Sequence, residues 1–222
     1  MSGTLTSNDI STVIVNYRTP DLLEKAAKSF RKFYPDIELV IVDNGSNDRS
    51  KEVIEAIIKS YPAKTKSVML DRNYYHGPAM DRAMKTLDKD VVFFLDSDTE
   101  TNRGGFIELM LQEFNRDEKV YGAGRIDRVN KRGFATEDGE IAILLSPYMM
   151  LRRKTYFDLP PFKHHGMPTL ENFSAAESKG YSLKDFDIAS YIEHRGRGTA
   201  SKFGYSLGLR GKLDYLLNKV GL

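Results

Sequence analysis

Two carboxylates, Asp96 and Asp98, directly follow the apolar run at residues 91–95. The run is a continuous apolar stretch that begins with β-branched and aromatic side chains, which predicts a buried strand. Carboxylates two residues apart on the turn after a strand can bind the same hard cation, such as Mg²⁺ or Mn²⁺. Such a cation usually keeps open coordination positions that phosphate oxygens can occupy. Asp-Ser-Asp is also common turn and N-cap chemistry, because these side chains bond nearby backbone N–H groups. The pair alone therefore indicates either a diphosphate–metal site or a capped turn.

The elements before this pair alternate between strand and helix patterns. Strands are predicted at residues 11–17, 37–42, 67–70 and 91–95, with helices beginning after Thr19-Pro20, after residue 48 and at Gly77-Pro78. This order predicts an α/β fold with a mostly parallel, doubly wound sheet. The second half is irregular, with helices expected at 105–114 and 169–179, strands at 120–126 and 140–151, and an exposed loop at 127–139. We predict a single Rossmann-like domain.

Polar residues follow each of the first four strands. The carboxyl ends of parallel strands meet at one edge of the sheet, where open α/β sheets bind ligands, so a nucleotide there would meet all four loops. The residues concerned are Asn16 and Tyr17 after the first strand, Asp43 after the second, Asn73, Gly77, Asp81 and Arg82 after the third, and Asp96, Ser97 and Asp98 after the fourth. Asp43 either accepts from a base or ribose or caps its own turn, and Asp81 and Arg82 either face the nucleotide or lie on a solvated helix face. A G-x-G-x-x-G sequence does not follow the first strand, so NAD is not expected.

These motifs, in their order and spacing, resemble the GT-A glycosyltransferases of family 2. The similarity runs from about Thr12 to Ser201. It is carried by Val15-Asn16-Tyr17, by residues 42–48, by Asn73…Gly77…Asp81-Arg82-Ala83, by Leu95-Asp96-Ser97-Asp98, by Met149-Met150-Leu151-Arg152-Arg153 with Phe162, by Glu171-Asn172 with Gly180-Tyr181, and by the segment that starts at His194-Arg195.

The resemblance implies a nucleoside-diphosphate-sugar donor of the UDP, GDP or dTDP type and an inverting transfer to a glycan or lipid-linked acceptor. It implies a divalent cation, Mn²⁺ or Mg²⁺, at Asp98 with Asp96 and His194, because the departing diphosphate develops negative charge. The acceptor hydroxyl needs a general base, which the resemblance places at Glu171. The family often has a second acid beside this position, where this chain has Asn172. Arg195, Arg197 and Lys202 are expected to close over the diphosphate as a lid.

The domain assignment follows from the same resemblance. Residues 11–203 form the glycosyltransferase domain, with a nucleotide-binding half at 11–100 and an acceptor-binding half at 101–203. Residues 1–10 are predicted to be a disordered N-terminus. The expected role is the synthesis of polysaccharide, glycolipid or glycoprotein glycans.

Bulk composition limits the alternatives. The 222 residues are 29% charged and 41% apolar with a net charge of +2, which is ordinary for a globular protein and does not suggest nucleic-acid binding. The absence of cysteine excludes disulfides, thiolate catalysis and zinc–thiolate sites, and it is consistent with a cytoplasmic protein. No apolar stretch reaches the length of about 18 residues that a membrane span needs.

Residues 204–222 have the pattern of an amphipathic helix with basic flanks. Its apolar positions are Leu209, Leu213, Leu216, Leu217 and Val220. Such a helix can pack on its own domain, on a second copy in a homodimer, or on an anionic membrane surface. The membrane interpretation would place the protein at the inner face of the membrane with a lipid-linked acceptor.

Two other functions compete with glycosyl transfer. A phosphatase of the haloacid dehalogenase type also has D-x-D after an apolar strand, but it would have Thr where this chain has Glu100, and its nucleophile usually lies on the first strand. A catalytically silent nucleotide-sugar-binding or scaffold protein would keep the fold without the reaction. The presence of Asp96, Asp98 and His194 argues against that second alternative.

Overall fold

The computed structural model describes residues 3–164 and 166–196, which form a mixed α/β domain. The strands are β1 (Ile10–Asn16), β2 (Glu38–Asp43), β3 (Thr65–Met69), β4 (Val91–Asp96), β5 (Thr99–Thr101), β6 (Val120–Gly124), β7 (Ile126–Val129), β8 (Ile141–Leu144), β9 (Tyr148–Arg152), β10 (Ser182–Asp185) and β11 (Ile192–His194). The helices are α1 (Pro20–Phe33), α2 (Ser50–Ser60), α3 (His76–Thr86), α4 (Phe106–Arg116), α5 (Arg153–Tyr156) and α6 (Leu170–Ser178). Short 3₁₀ turns lie at Ser7–Asp9 and Ile188–Ser190.

Seven strands form the main sheet in the order β10-β6-β9-β4-β1-β2-β3. The pairs β3–β2, β2–β1, β1–β4 and β6–β10 are parallel, and β9 runs antiparallel between β4 and β6. The predicted mainly parallel sheet is therefore confirmed. The register places Asn16 beside Asp43 and Val15 beside Asp96, so the ends of β1, β2 and β4 meet at one edge.

Helices cover both faces of the sheet, which explains why the central strands are continuous apolar runs. Alternate strand residues point to opposite faces, so Phe93 packs in one cluster and Phe94 in the other. The first cluster contains the buried faces of α1, α2 and α4, and the second contains those of α3 and α6. The doubly wound arrangement thus follows from apolar side chains on both faces of every central strand.

The second half differs from the sequence prediction in its strands. The predicted strand at 140–151 is two strands, β8 and β9, separated by a turn at residues 145–147. The turn contains Pro147, which has no N–H to donate to a strand ladder. The predicted loop at 127–139 begins with β7, which pairs antiparallel with β8. This hairpin forms a two-stranded sheet of its own, hydrogen-bonded separately from the main sheet.

The N-terminal segment contains a short turn and contacts α4. Residues 3–10, predicted to be part of a disordered N-terminus, instead contain a 3₁₀ turn capped by Thr6 and Asp9, and the backbone of Leu5 bonds the side chain of Asn115. The amphipathic helix predicted at 204–222 lies outside the described residues. Within the described part of the chain, none of the helices has the length and apolar character required to span a bilayer.

Candidate active site

Asp96, Asp98 and His194 come together at the carboxyl end of β4. One ligand atom from each lies within 4.8 Å of the others, and Asp98 Oδ1 is 3.2 Å from His194 Nε2. The imidazole is brought there by β11, which pairs antiparallel with β5 so that His194 stands opposite Thr99. The backbone N–H of Arg195 donates to the carbonyl of Asp98 at 3.0 Å and fixes this strand against the turn.

The electrostatics of this cluster reflect burial and close charges. Burial raises the pKa of the Asp96 carboxyl; the nearby Asp98 adds to this, whereas His76 and His194 oppose it. The pKa of His194 is raised, chiefly by its hydrogen bond to Asp98. Two neighbouring carboxylates disfavour each other's ionised form, and a cation between them would relieve that repulsion.

The donor set fits a divalent cation of the Mn²⁺ or Mg²⁺ type. Carboxylate oxygens are ligands for both ions, and a neutral imidazole suits Mn²⁺ better than Mg²⁺. The side chain of Asp98 is 10% exposed and that of Asp96 is 23% exposed, so the oxygens are partly shielded but open on one side. The three residues named from the sequence as metal ligands are thus together in space.

A buried polar network forms the floor of the crevice beside this cluster. Asn16 Nδ2 donates to Asp43 Oδ1 at 2.8 Å, and the Thr19 hydroxyl donates to Asn16 Oδ1 at 2.9 Å. The hydroxyls of Thr19 and Ser97 lie 2.9 Å apart, and the N–H of Ser46 donates to Asp43 Oδ2 at 2.9 Å. The network joins the ends of β1, β2 and β4. It shows that Asp43 does cap its turn, while contact with a nucleotide remains a prediction.

The loop after β3 is tied to the loop after β2. Asn44 Nδ2 donates to Asn73 Oδ1 at 3.0 Å, and Asn44 Oδ1 accepts from the N–H of Tyr74 at 2.9 Å. Gly45 has a φ of 74°, and a Cβ there would lie 2.3 Å from the carbonyl carbon of Arg72. Only glycine allows the two loops to approach so closely. Asn73 therefore shapes the crevice through Asn44.

The residues predicted on α3 are used differently from one another. Asp81 accepts from the Tyr156 hydroxyl at 2.8 Å and from Lys85 at 2.6 Å, so it joins α3 to α5. A Cβ on Gly77 would lie 2.2 Å from the carbonyl oxygen of Lys163. Both residues contact the second half of the domain, because residues 153–164 and 166–168 pack on this face of α3. Their contact with a nucleotide stays a prediction.

Arg82, Tyr17 and Arg195 lie nearer the surface. The guanidinium of Arg82 is 3.8 Å from the ring centroid of Tyr74 on an exposed helix face. Tyr17 is half-buried, with the guanidinium of Arg18 at 5.2 Å from its ring centroid. Arg195 forms an ion pair with Glu100. The other two residues predicted for the lid, Arg197 and Lys202, lie outside the described residues.

Glu171 lies in the first turn of α6, on the wall of a cavity of about 650 Å³. It forms an ion pair with Lys163, and both side chains are substantially exposed, at 40% and 50%. The neighbouring Asn172 points the other way and is fully buried: its Oδ1 accepts from the Tyr121 hydroxyl at 2.6 Å and its Nδ2 donates to the carbonyl of Pro160 at 2.7 Å. Of the two positions, Glu171 is the one that faces the cavity.

Two residues that lie beside the cluster are not among the site residues predicted from the sequence. His76 Nε2 lies 3.6 Å from Asp96 Oδ1, and the ring of Tyr148 meets that of His194 edge-on at a centroid distance of 6.2 Å. His76 directly precedes Gly77, where the sequence predicted a helix to begin at the ligand-binding edge. The position of His76 at the start of that helix could have indicated that it lies near the site. The position of Tyr148 beside His194 depends on the antiparallel insertion of β9, which the sequence does not indicate.

Comparison of the sequence with models of protein families shows which family has these motifs. Residues 11–175 match the model of glycosyl transferase family 2. The chain belongs to this family. The match covers both halves of the domain, from β1 to α6, and nothing in it favours the phosphatase or scaffold alternatives.

Curated relatives match over part of the chain. An undecaprenyl-phosphate 4-deoxy-4-formamido-L-arabinose transferase of Proteus mirabilis is 32% identical over 97 residues, which are 42% of this chain and 30% of that protein. A teichoic acid poly(glycerol phosphate) polymerase of Staphylococcus epidermidis is 28% identical over 109 residues, 49% of this chain and 15% of that protein. The chain thus matches less than a third of the length of either relative.

Solved structures show the same fold at low sequence identity. The mannosyltransferase PcManGT from Pyrobaculum calidifontis, in complex with GDP-Man and Mn²⁺, superposes with a TM-score of 0.68 at 15% identity, covering 81% of this chain and 55% of that one. Residues 1–349 of S. aureus TarS, in complex with UDP-GlcNAc, give a TM-score of 0.57 at 19% identity, with 83% and 60% covered. The GT-A architecture expected from the motifs is therefore confirmed.

Proposed function

We propose that this family member is a metal-dependent glycosyltransferase that moves a sugar from a nucleoside-diphosphate sugar to an acceptor hydroxyl with inversion. The observation that carries the proposal is the cluster of Asp96, Asp98 and His194 at the carboxyl end of β4. A GT-A neighbour in complex with GDP-Man and Mn²⁺, and another in complex with UDP-GlcNAc, support such a donor.

The donor half of the site would bind and orient the nucleotide. Asp98, with Asp96 and His194, would hold the cation, which supplies positive charge that stabilises the departing diphosphate. The floor formed by Asn16 and Asp43 is already hydrogen-bonded, so little reorganisation is needed when the donor binds. Tyr17, Asn73, Arg82 and Ser97 would line the nucleotide, and Arg195, Arg197 and Lys202 would close over the diphosphate.

Glu171 is proposed as the general base that accepts the proton of the acceptor hydroxyl. Two features support its ionised state: it lies in the first turn of α6, where the helix dipole favours negative charge, and it pairs with Lys163. Its place on the wall of the cavity would put the carboxylate beside an acceptor bound there. In a one-step inverting displacement a single base is sufficient.

The acceptor is proposed to be a glycan or a lipid-linked molecule at the cytoplasmic face of a membrane. One relative is named for an undecaprenyl-phosphate transferase and another for a teichoic acid polymerase, which supports acceptors of these kinds. The basic amphipathic pattern at 204–222 would supply the peripheral contact with anionic lipid.

A thermal-shift screen tests the donor site. UDP, GDP, dTDP and CDP are each added with and without Mn²⁺, and binding at one hundred times the dissociation constant should stabilise the native state by about 2.7 kcal/mol. We expect metal-dependent stabilisation by one diphosphate and its loss in Asp98→Ala. The absence of any shift in the wild-type protein would contradict the proposed donor site.

A further inference from the structure

His76 is a second imidazole beside Asp96 that the proposed function does not use. Its Nε2 atom is 3.6 Å from Asp96 Oδ1, just beyond hydrogen-bond distance. The Nε2 atom is buried and has no hydrogen-bond partner among the described residues. A buried polar atom without a partner is unfavourable, so it needs a structural or functional explanation. A small movement of either side chain would form the bond.

The backbone that delivers His76 is held in a strained conformation. Tyr75, immediately before it, has φ 66° and ψ 170°, which a residue other than glycine rarely adopts. Its N–H donates to Asn73 Oδ1 at 2.7 Å, and its carbonyl accepts from Asn44 Nδ2 at 3.3 Å. Its ring stacks on His164 with a centroid distance of 3.5 Å and an interplanar angle of 6°. Three separate contacts thus maintain a conformation that the backbone alone disfavours.

The residue after His76 is fixed from the other side. Gly77 packs so closely on the loop of the second half that a Cβ would lie 2.2 Å from the Lys163 carbonyl oxygen and 2.6 Å from the Pro168 side chain. Lys163 and His164, which belong to that loop, also line the cavity beside Glu171. The position of His76 is therefore set by the donor-side loops and by the acceptor-side loop together.

We propose that His76 is a positioning residue: its Nε2–H donates to Asp96 Oδ1 and orients that carboxylate, and the Tyr75–His164 stack keeps it in place. The inference rests on the proposed function, because it takes Asp96 to be a ligand of the cation that His76 orients. Hydrogen-bond partners of metal ligands typically change metal affinity or activity by about 10–100-fold when they are removed.

Three substitutions of His76 distinguish the effect of losing the Nε2 hydrogen bond from the effect of losing the side chain as a whole. His76→Ala removes the donor, His76→Asn places an amide near the position of Nδ1, and His76→Gln places one near that of Nε2. The measurement is the Mn²⁺ dissociation constant, from the electron paramagnetic resonance signal of free Mn²⁺, with the nucleoside diphosphate that stabilises the wild-type protein present at saturation. We expect the constant to rise at least about 10-fold in the Ala and Asn variants and to stay within about threefold in the Gln variant.

A second measurement distinguishes positioning from direct contact with the donor. The affinity for the same nucleoside diphosphate without metal should be unchanged in all three variants, because the proposed bond is to Asp96. A weaker metal-free affinity would place His76 on the nucleotide and overturn the positioning role. Equal Mn²⁺ affinity in His76→Ala and wild type, or equal losses in the Gln and Ala variants, would also overturn it. If wild type binds no Mn²⁺ with any diphosphate, the proposed function itself fails.

Discussion

The donor and acceptor halves of the site are built from different kinds of polar contact. At the ends of β1, β2 and β4, Asn16, Asp43 and Asp98 are buried and joined to neighbouring strands or loops. In the acceptor-side cavity the charged side chains are exposed and paired with each other, as in Lys163–Glu171 and Lys131–Glu140. The first arrangement depends on strand register, and the second on long side chains in water.

This difference separates a fixed region from an adaptable one. Buried hydrogen bonds cannot be broken without leaving unpaired groups, so the donor crevice keeps its shape before the ligand arrives. Exposed ion pairs contribute only about 0–1 kcal/mol each, so the cavity charges can exchange partners when an acceptor enters. Donor recognition is therefore expected to be preorganised, whereas acceptor recognition is expected to involve rearrangement.

The largest expected effect is on the acceptor side. Glu171→Gln should lower kcat by about 10²–10⁴-fold, because the amide cannot accept the proton of the acceptor hydroxyl. Binding of the nucleoside diphosphate should be unchanged, as measured by calorimetry. The matched control is Glu177→Gln, an exposed acid on the same helix, which should retain activity. Full activity in Glu171→Gln would remove Glu171 from the chemistry.

A substitution on the donor side should weaken the binding of metal and nucleotide as well as lower the rate of transfer. Asp98→Ala should lower transfer by about 10²–10³-fold and abolish the stabilisation by Mn²⁺ with nucleoside diphosphate, because the charge at the diphosphate is lost. Steady-state kinetics and thermal shift measure the two effects. Glu52→Gln, at an exposed acid of α2, is the control and should change neither. A loss of rate with intact Mn²⁺-dependent binding would contradict the assignment of Asp98 to the cation.

Substitutions of one glycine in each half compare how tightly the two halves pack around the backbone. Gly45 and Gly180 both have positive φ, at 74° and 76°, but only at Gly45 would a Cβ meet other atoms. Gly180→Ala should lower the unfolding free energy by about 1–2 kcal/mol from backbone strain alone. Gly45→Ala should lose about 1–3 kcal/mol more, because the backbone at Arg72 has to move. Urea unfolding gives both values, and equal losses would refute the idea of a tightly held donor crevice.

The smallest expected effect lies at the opposite edge of the sheet. Glu38, at the start of β2, accepts from the Ser11 hydroxyl at 2.5 Å and from Lys66 at 2.6 Å. Burial raises the pKa of Glu38, but the hydrogen bonds from Lys66 and Ser11 and the positive charges of Lys66 and Lys89 together lower it by more, so its pKa in the folded protein is below the ordinary value. The resulting stabilisation is present above the pKa of the unfolded chain, about 4.3, and disappears as the pH falls through the lower folded pKa.

Glu38→Gln should therefore reduce the unfolding free energy by about 0.5–1 kcal/mol at pH 7, and the difference from wild type should shrink below about pH 4. Urea unfolding at several pH values measures this. Nucleotide binding should be unaffected, because Glu38 lies at the amino end of β2, away from the crevice. A difference that grew as the pH fell would have the wrong sign for a carboxylate stabilised in its ionised form.

Much of the donor half could be predicted from the sequence. The apolar run at 91–95 and the repeated strand–helix pattern predict the parallel sheet, and the family resemblance points to Asp96, Asp98 and His194, which the structure brings together. The second half was harder to predict, because β7 and β8 form a separate hairpin and β9 inserts antiparallel between β4 and β6. Those pairings join segments whose own patterns do not specify a partner.

The amino-acid sequence by itself determined the strands and helices at residues 10–96, since burial on both faces of the sheet needs local apolar patterns that can be counted along the chain. Only the tertiary structure decided how particular side chains are used. It directs Asp81 to Tyr156, Asn172 to Tyr121 and His76 toward Asp96. A hydrogen bond depends on positions and angles within a few tenths of an ångström, and for residues far apart in sequence these are fixed by strand order and packing.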